Sequence, residues 1–263
     1  MFEGTLKKML TENASPIRYF LDLGFDYIDV NACLDHHVSI TQIGTECLSC
    51  GLDKPIFRQG FCQSCFFEAP QAGDWIMRPE LSTAHLDIED RDLVYEKKIQ
   101  LQPHIVYLAL SSHLKVGITR KVQVPTRWID QGAHQAIPLL EVPNRYLAGV
   151  AEVALKSVFS DKTNWRKMLQ NEFETIKWPT ARAQALGALP QDFSPYIQPE
   201  ASPIELQFPV LQYPQKVNSL NLAKTTHYNG VLKGIKGQYL LFEDQTVFNV
   251  RTNEGYRIQW TLQ

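Results

Sequence analysis

The chain has 263 residues, of which 44% are hydrophobic, 21% are charged and 11% are aromatic. This composition is typical of a folded globular protein and excludes a disordered or fibrous one. The 26 Lys and Arg residues against 28 Asp and Glu residues give a net charge of -2. That balance excludes a global basic field that would draw the whole protein onto nucleic acid, so any such binding has to use a local patch.

The first residues predict no secretory leader. Residues 1–16 lack the basic and then apolar run of a signal peptide, and no stretch approaches the roughly 18 apolar residues of a membrane span. We therefore expect a cytoplasmic protein without a membrane partner.

Residues 1–43 form the predicted N-terminal β segment, because apolar and polar residues alternate in short pieces such as 19–23. The stretch 2–9 faintly resembles residues 228–235, which favours a small barrel or sandwich joining the two ends of the chain. His36 and His37 are interpreted as surface or strand residues, with metal ligation as the alternative.

Four of the five cysteines form two CxxC pairs, Cys47 with Cys50 and Cys62 with Cys65. Each pair would place two thiolates on one tight turn, and two such turns face to face would form a tetrahedral four-sulfur zinc site. A complete set of four thiolates leaves no coordination position open for chemistry. We therefore predict a structural Zn²⁺ that holds a zinc ribbon over residues 44–86.

Two glycines flank these pairs, Gly51 and Gly60, at turn positions where a positive φ or a close backbone approach is expected. A redox role for the pairs is the alternative; it would need a thiol at a helix N-terminus in a βαβ context, which neither pair shows. Cys33 lies in an apolar run and is predicted to be a small buried residue.

An acidic, charge-rich stretch at residues 87–92 is interpreted as a solvated connector. The central module, residues 100–175, then combines a β-hairpin with helices. Its predicted elements are strands at 105–110 and 114–119, a helix at 125–131, a strand at 136–140, a helix at 144–156 and a helix beginning at 161–166 with Asp161 or Thr163 as its cap.

Residues 176–223 are predicted to form a linker with one short helix around 180–186, and residues 224–263 a C-terminal β module. In that module Lys233, Lys236 and Tyr239 fit ordinary strand alternation. Phosphate binding combined with base stacking is the alternative for these three residues.

The hairpin, the helix after it and the helix that carries Glu152 resemble the GIY-YIG nuclease domain. Tyr107 matches the first tyrosine of that family, and Lys115 opens the string KVG that stands in the place of YIG. Arg127 matches the arginine of the first helix, Glu152 the metal ligand, and Asn164 the late asparagine. Ile105 replaces the GIY glycine, and Lys115 replaces the second tyrosine.

This resemblance implies phosphodiester hydrolysis. The Glu152 carboxylate would hold Mg²⁺ or Mn²⁺ against the phosphate, and Arg127 would neutralise the developing charge. Tyr107, or a water molecule assisted by Lys115, would supply the nucleophile.

Three further residues are predicted to bind nucleic acid. Arg120 and Lys121 add positive charge beside Lys115, so this face would be basic although the chain is not. Asn164 is the third.

Six longer strings extend over much of the chain: IFRQGFCQSCF, WIMRPEL, VYLALSSHLKVGITR, PTRWIDQGA, VALKSVFSDKTNW and LKGIKGQYLLF. Through these strings nearly the whole chain resembles an uncharacterised bacterial zinc-ribbon family, domain of unknown function 2797. Membership of this family supplies no activity.

The sequence thus predicts an α+β protein with β-rich N- and C-terminal segments, a small four-cysteine zinc ribbon and a central GIY-YIG-like module of mixed α/β structure. Three functions follow from this organisation. The protein would be a metal-dependent nuclease acting on DNA or RNA, a nucleic-acid-binding protein without catalysis, or a protein-interaction adaptor built on the zinc ribbon. Turnover with Mg²⁺ or Mn²⁺ separates the first from the second, and salt-dependent binding separates both from the third.

Overall fold

The computed structural model describes residues 1–200 and 202–263 and combines helices with many strands, which confirms the predicted α+β class. The strands are β1 (Phe2–Thr5), β2 (Leu10–Glu12), β3 (Arg18–Asp22), β4 (Tyr27–Asp29), β5 (His37–Thr45), β6 (His104–Leu110), β7 (Leu114–Arg120), β8 (Gln135–Val142), β9 (Ile204–Glu205), β10 (Asn218–Leu220), β11 (His227–Lys236), β12 (Tyr239–Phe242), β13 (Thr246–Asn249) and β14 (Tyr256–Leu262). The α-helices are α1 (Gln63–Glu68), α2 (Leu93–Gln100), α3 (Thr126–Asp130), α4 (Arg145–Leu155), α5 (Trp165–Leu169) and α6 (Trp178–Ala188). Within the described residues, no helix has the length and apolarity needed to cross a membrane.

One seven-stranded sheet joins the two ends of the chain. Its strand order is β1-β14-β5-β11-β12-β13-β10, and β10 with β13 is its parallel pair. Phe2 lies opposite Trp260 in the antiparallel β1–β14 pair. The two termini therefore share a sheet, although β1 pairs with β14 and not with β11, the strand that it resembles in sequence. The division of the chain into five segments stays a prediction.

The main hydrophobic core includes side chains from this sheet and from the central module. Trp260 and Phe248 come from the seven-stranded sheet, whereas Tyr107 and Trp128 come from β6 and α3, and all four are fully buried. Burying an apolar side chain of this size contributes roughly 1.5 to 3 kcal/mol. Packing of these aromatic rings fixes the central module against the terminal sheet.

The four-stranded sheet of the central module has the order β7-β6-β8-β9. In the β6–β7 pair, Tyr107 lies opposite Gly117 and Ala109 lies opposite Lys115. Because side chains alternate along a strand, Lys115 and Gly117 share the face that Tyr107 turns toward the main core. Val116 points to the other face and packs in a second core with α4. The predicted hairpin and the helices at α3 and α4 are confirmed.

Helix α2 has no counterpart among the predicted elements. It follows the acidic connector, and Asp92 caps it by accepting a hydrogen bond from the Tyr95 amide at 2.9 Å. Glu96 is fully buried and accepts hydrogen bonds from the backbone amides of residues 90, 91 and 92 at 3.0, 2.7 and 3.0 Å. The apolar periodicity that identifies most helices is missing here, because the side chains that α2 buries are Glu96 and Gln100.

Candidate functional site

The two CxxC pairs come together into one cluster. Cys47 and Cys50 lie on the turn after β5, whereas Cys62 precedes α1 and Cys65 lies within it. All four sulfur atoms lie within 4.8 Å of one another. A zinc ion with Zn–S bonds of about 2.3 Å needs sulfur atoms about 3.8 Å apart in a tetrahedron. The cluster is therefore positioned to bind a metal ion, as the spacing predicts.

The electrostatics of the cluster fit a bound cation. Burial opposes ionisation of Cys47, but the backbone N–H groups of Cys50, Cys62 and Ser49 lower its pKa to about 6. Proximity to Cys62 raises the pKa of Cys65 to about 12. Thiolates this close repel one another, so all four can be ionised together only when a cation lies between them.

The ribbon has little packing of its own. Helix α1 buries none of its side chains, and a short bridge between Arg58 and Phe61 spans the gap between the pairs. Gly60 has a φ of 76°, and a Cβ atom there would lie 2.4 Å from the side chain of Leu48. Gly51 also has a positive φ, 67°. Both glycines thus have the left-handed backbone that the sequence predicts. A metal ion bound by the four cysteines would supply the cohesion that a core otherwise gives.

Tyr107 and Gly117 form a close cross-strand pair in the hairpin. A Cβ atom on Gly117 would lie 2.7 Å from the Tyr107 hydroxyl oxygen, so the ring covers the glycine. The hydroxyl donates to Gln131 Oε1 at 3.0 Å, and burial raises the pKa of Tyr107. Tyr107 is fully buried, which gives it the role of positioning the elements around it.

Lys115 lies at the edge strand β7 and is 5% exposed. Its ammonium donates to Thr163 Oγ1 at 2.8 Å. Burial, followed by the positive charge of Arg127, lowers the pKa of Lys115 to about 8. The lysine is therefore a partly desolvated cation close to a second cation.

Glu152 lies on α4, and its side chain is largely buried, with 9% of its surface exposed. Burial raises the pKa of Glu152, and the neighbouring Lys156 opposes that rise. The Lys156 ammonium lies 3.6 Å from Glu152 Oε2 and 3.2 Å from Asp161 Oδ2, so it bridges the two carboxylates. The two acidic groups thus already hold a cation, supplied by the chain itself.

Arg145 is a site residue that sequence reasoning missed. It donates to the carbonyl oxygens of Trp75 and Ile76 at 3.1 and 2.8 Å. Burial is the main cause that lowers the pKa of Arg145 to about 10, and Arg127 lowers it further. The available signal was its place as the first residue of α4, where the helix dipole disfavours a cation. We call Lys115, Arg127, Arg145, Glu152 and Lys156 the charged cluster.

Each of the three residues predicted to bind nucleic acid has a local partner. Arg120 Nε donates to Gln123 Oε1 at 3.2 Å, and Lys121 pairs with Glu141 at 2.8 Å on the surface. Asn164 Oδ1 accepts from the Lys167 amide at 3.2 Å and thereby caps α5. The predicted caps Asp161 and Thr163 are wrong, because Asp161 pairs with Lys156 and Thr163 with Lys115.

A cavity of about 190 Å³ is lined by Lys115 on one side and by residues of the C-terminal sheet on the other. Trp165 and Tyr239 line it with their rings stacked, at a centroid distance of 6.0 Å and an interplanar angle of 6°. The Arg166 guanidinium lies 4.3 Å from the Trp165 ring centre, and Arg251 also lines the cavity. The two rings come from distant parts of the chain, so no sequence spacing predicts their contact.

Comparison with known proteins identifies the family and no closer relative. A family model described as a protein of unknown function (DUF2797) matches residues 35–258, a range that includes both the cysteine cluster and the charged cluster. Comparison with curated proteins finds no match, and comparison with solved structures finds none either. The chain therefore belongs to the DUF2797 family, as the longer sequence strings indicated.

Proposed function

We propose that this protein binds nucleic acid through the charged cluster of its GIY-YIG-like module and that a structural zinc ion holds its ribbon. The observation that carries the proposal is the concentration of one buried and two half-buried cations on β7, α3 and α4. Lys115, Arg127 and Arg145 lie close enough for Arg127 to lower the pKa of the other two, beyond the effect of burial.

Cations held together in this way favour an anionic ligand. The acidic partners that act on Lys115 are Asp161 and Glu152, and both already contact Lys156. A phosphate group would offset the mutual repulsion of the cations and would return the pKa of Lys115 toward its ordinary value. A nucleic-acid backbone supplies such groups at regular spacing, and their binding releases counterions.

The aromatic pair next to the cluster supports a nucleic-acid ligand over a free phosphate. Trp165 and Tyr239 line the cavity that Lys115 also lines. Aromatic rings beside a basic groove stack with bases, each contributing roughly 1 to 3 kcal/mol. The central module and the C-terminal sheet would therefore together contact the backbone and the bases of one strand.

We assign the metal of the cysteine cluster as zinc, because four thiolates in a closed tetrahedral site are the usual ligands of structural zinc. Iron shares this ligand set, so metal analysis of the purified protein tests the assignment. A cytoplasmic location, where thiols stay reduced, fits the same proposal.

Hydrolysis by a divergent GIY-YIG-like site is a second candidate, favoured by the convergence of Glu152 and Asp161 on one cation. Mg²⁺ or Mn²⁺ would take that position only if Lys156 moved away, since its ammonium lies 3.6 and 3.2 Å from the two carboxylates. We therefore propose binding as the primary function and cleavage as an activity that requires this rearrangement.

A protein-interaction adaptor is the remaining alternative, and the surface of the ribbon favours it. Phe57 and Phe67 are 42% and 59% exposed, and the Arg58 guanidinium lies 5.2 Å from the Phe57 ring centre. Exposed aromatic side chains with an arginine are typical of protein-binding hot spots.

A binding series separates these functions. Zinc-loaded protein is titrated into labelled duplex DNA, branched DNA, single strands and structured RNA at several salt concentrations, with and without Mg²⁺ or Mn²⁺. We expect salt-dependent binding that weakens roughly tenfold in Arg127→Gln, because a charge-assisted contact is lost. Arg18→Gln, an exposed arginine on β3 paired with Asp29, is the matched control and should bind as the native protein does.

Each outcome of this series has a definite meaning. Metal-dependent cleavage that is lost in Glu152→Gln would establish the nuclease. Binding without cleavage supports the primary proposal. Equal binding by Arg127→Gln and the native protein would contradict it, and failure to bind any nucleic acid would leave the adaptor as the function to pursue.

A further inference from the structure

A second cavity, of about 830 Å³, lies on another part of the central module and shares no lining residue with the cavity beside the charged cluster. Its walls come from β8 and β9, from the segments around 171–178 and 206–213, and from residues 14–15. Four aromatic side chains contribute to the lining: Phe173, Trp178, Phe208 and Tyr213. A cavity of this size that combines aromatic side chains with a few fixed polar groups has features of a small-molecule site.

A fully buried lysine lies behind one wall of this cavity. Lys236, the last residue of β11, donates to His134 Nε2 at 2.9 Å and to Asn171 Oδ1 at 3.2 Å. Its ammonium also lies 5.5 Å and 5.2 Å from the ring centres of Phe208 and Tyr213. All four neighbours line the cavity, and no carboxylate of the described residues lies within ion-pair distance of Lys236.

The ammonium of Lys236 determines which atoms of His134 and Asn171 accept a hydrogen bond and which are left to donate one. An ammonium only donates hydrogen bonds, so while Lys236 is charged, His134 Nε2 accepts and the neutral ring carries its proton on Nδ1. Burial, followed by the charge of Lys236, lowers the pKa of His134 to about 3, which keeps the ring neutral. Asn171 likewise turns its oxygen toward the ammonium, which leaves its NH₂ group directed elsewhere.

Both groups are held in place. The His134 ring packs on Phe173 with a centroid distance of 3.9 Å, and Asn171 has a left-handed backbone with a φ of 62°. Among the described residues, neither His134 Nδ1 nor Asn171 Nδ2 has a protein hydrogen-bond partner. Two fixed donors polarised by one buried cation therefore line the same cavity as the aromatic rings.

We propose that this cavity binds a small organic carboxylate with a flat apolar body. The carboxylate oxygens accept hydrogen bonds from His134 Nδ1 and Asn171 Nδ2, and the body of the ligand packs on the aromatic lining. The ligand's negative charge compensates the Lys236 ammonium, which has no acidic partner among the described residues.

The rim of the cavity restricts the charge of this ligand. Glu174 and Glu205 line it as exposed carboxylates, and Glu205 accepts a hydrogen bond from Gln135 at 3.1 Å. These acidic groups would repel a polyanion, so a single carboxylate fits better than a nucleotide or a nucleic-acid strand. The proposal is thus independent of nucleic-acid binding at the charged cluster.

The test measures binding to the zinc-loaded full-length protein by calorimetry. Two pairs of probes are compared, benzoate with benzamide and indole-3-propionate with its amide. We expect at least one carboxylate to bind with a Kd below about 1 mM and its neutral amide to bind at least roughly tenfold more weakly. Burial lowers the pKa of Lys236 to about 7, so the affinity of the carboxylate should fall between pH 6 and pH 9.

Variants locate the site. Asn171→Gly removes one donor, and its left-handed backbone suits glycine, so this variant should fold and bind the carboxylate roughly tenfold more weakly. Lys233→Met, on the same strand but paired with Glu243 at the surface, is the matched control and should bind normally.

Three results would overturn the proposal. They are the absence of saturable binding by either carboxylate at about 10 mM, equal affinity for a carboxylate and its amide, and unchanged affinity in Asn171→Gly. Lys236→Met, which keeps the length of the side chain, should abolish the dependence on pH if it folds. The Asn171→Gly measurement decides the question if it does not.

Discussion

The ribbon and the three cations Lys115, Arg127 and Arg145 of the charged cluster both bring like charges together, but they are organised in opposite ways. In the ribbon, four thiols from two nearby motifs lie within 4.8 Å and need a cation to be ionised together. In the charged cluster, Lys115, Arg127 and Arg145 come from three different elements and favour an anion. Among the described residues, none of the ribbon belongs to a hydrophobic core cluster, whereas the charged cluster rests on two such cores. A metal site can thus replace hydrophobic packing, whereas a cationic site depends on such packing.

Removal of the metal should have the largest effect, and only on the ribbon. Structural zinc contributes on the order of 10 kcal/mol to folding in small zinc domains. We expect chelation, or Cys62→Ser, to expose the amides of residues 46–69 to hydrogen exchange while the seven-stranded sheet stays protected. Cys33→Ser, a buried cysteine outside the cluster, is the control and should keep its full zinc content. A ribbon that stays protected without metal would refute this account.

A methyl group on Gly117 should destabilise the module under the charged cluster. Its Cβ atom would lie 2.7 Å from the Tyr107 hydroxyl, so Gly117→Ala should lower the free energy of unfolding by about 1 to 3 kcal/mol through overpacking. Chemical denaturation measures this effect. Gly187→Ala on α6, with open space around its Cβ, is the matched control and should raise stability by roughly 0.5 to 1 kcal/mol. Equal effects of the two changes would contradict the close packing.

Nucleic-acid affinity should depend on pH through Lys115. Burial, then Arg127, lowers its pKa to about 8, so the side chain is charged below that pH and loses its charge above it. Affinity should therefore fall between pH 7 and pH 9, by roughly tenfold if one charge-assisted contact is lost. Bound phosphate would move the midpoint upward. Lys115→Arg stays charged over this range, so a decline in that variant as well would exclude Lys115 as the cause.

The smallest effect is expected at the cap of α5. Asn164→Ala removes the hydrogen bond from the Lys167 amide and should cost about 1 kcal/mol of unfolding free energy. Asn164→Ser keeps a capping oxygen and should cost less. If Asn164→Ala weakened nucleic-acid binding without changing stability, Asn164 would contact the ligand directly, as the family resemblance implies.

The sequence by itself determined the local features of this protein. The two CxxC pairs with their glycines specify the ribbon, because metal ligation acts over a few residues of chain. The pattern of apolar residues along the chain predicts the hairpin of β6 and β7 and the apolar stripe of α4, because this pattern is a local property of the sequence. The family could also be identified from sequence strings.

The tertiary structure alone decided which distant groups meet. A glutamate is rarely fully buried, yet Glu96 is buried because three backbone amides from the preceding loop satisfy its carboxylate. The sequence pattern predicts that Lys236 is an ordinary residue of an alternating strand. Its ammonium nevertheless contacts His134 and Asn171, two residues that are distant from it in the sequence. Burial and charge compensation depend on contacts between remote segments, and no local pattern encodes them. The stacked Trp165 and Tyr239 rings and the position of Arg145 have the same origin.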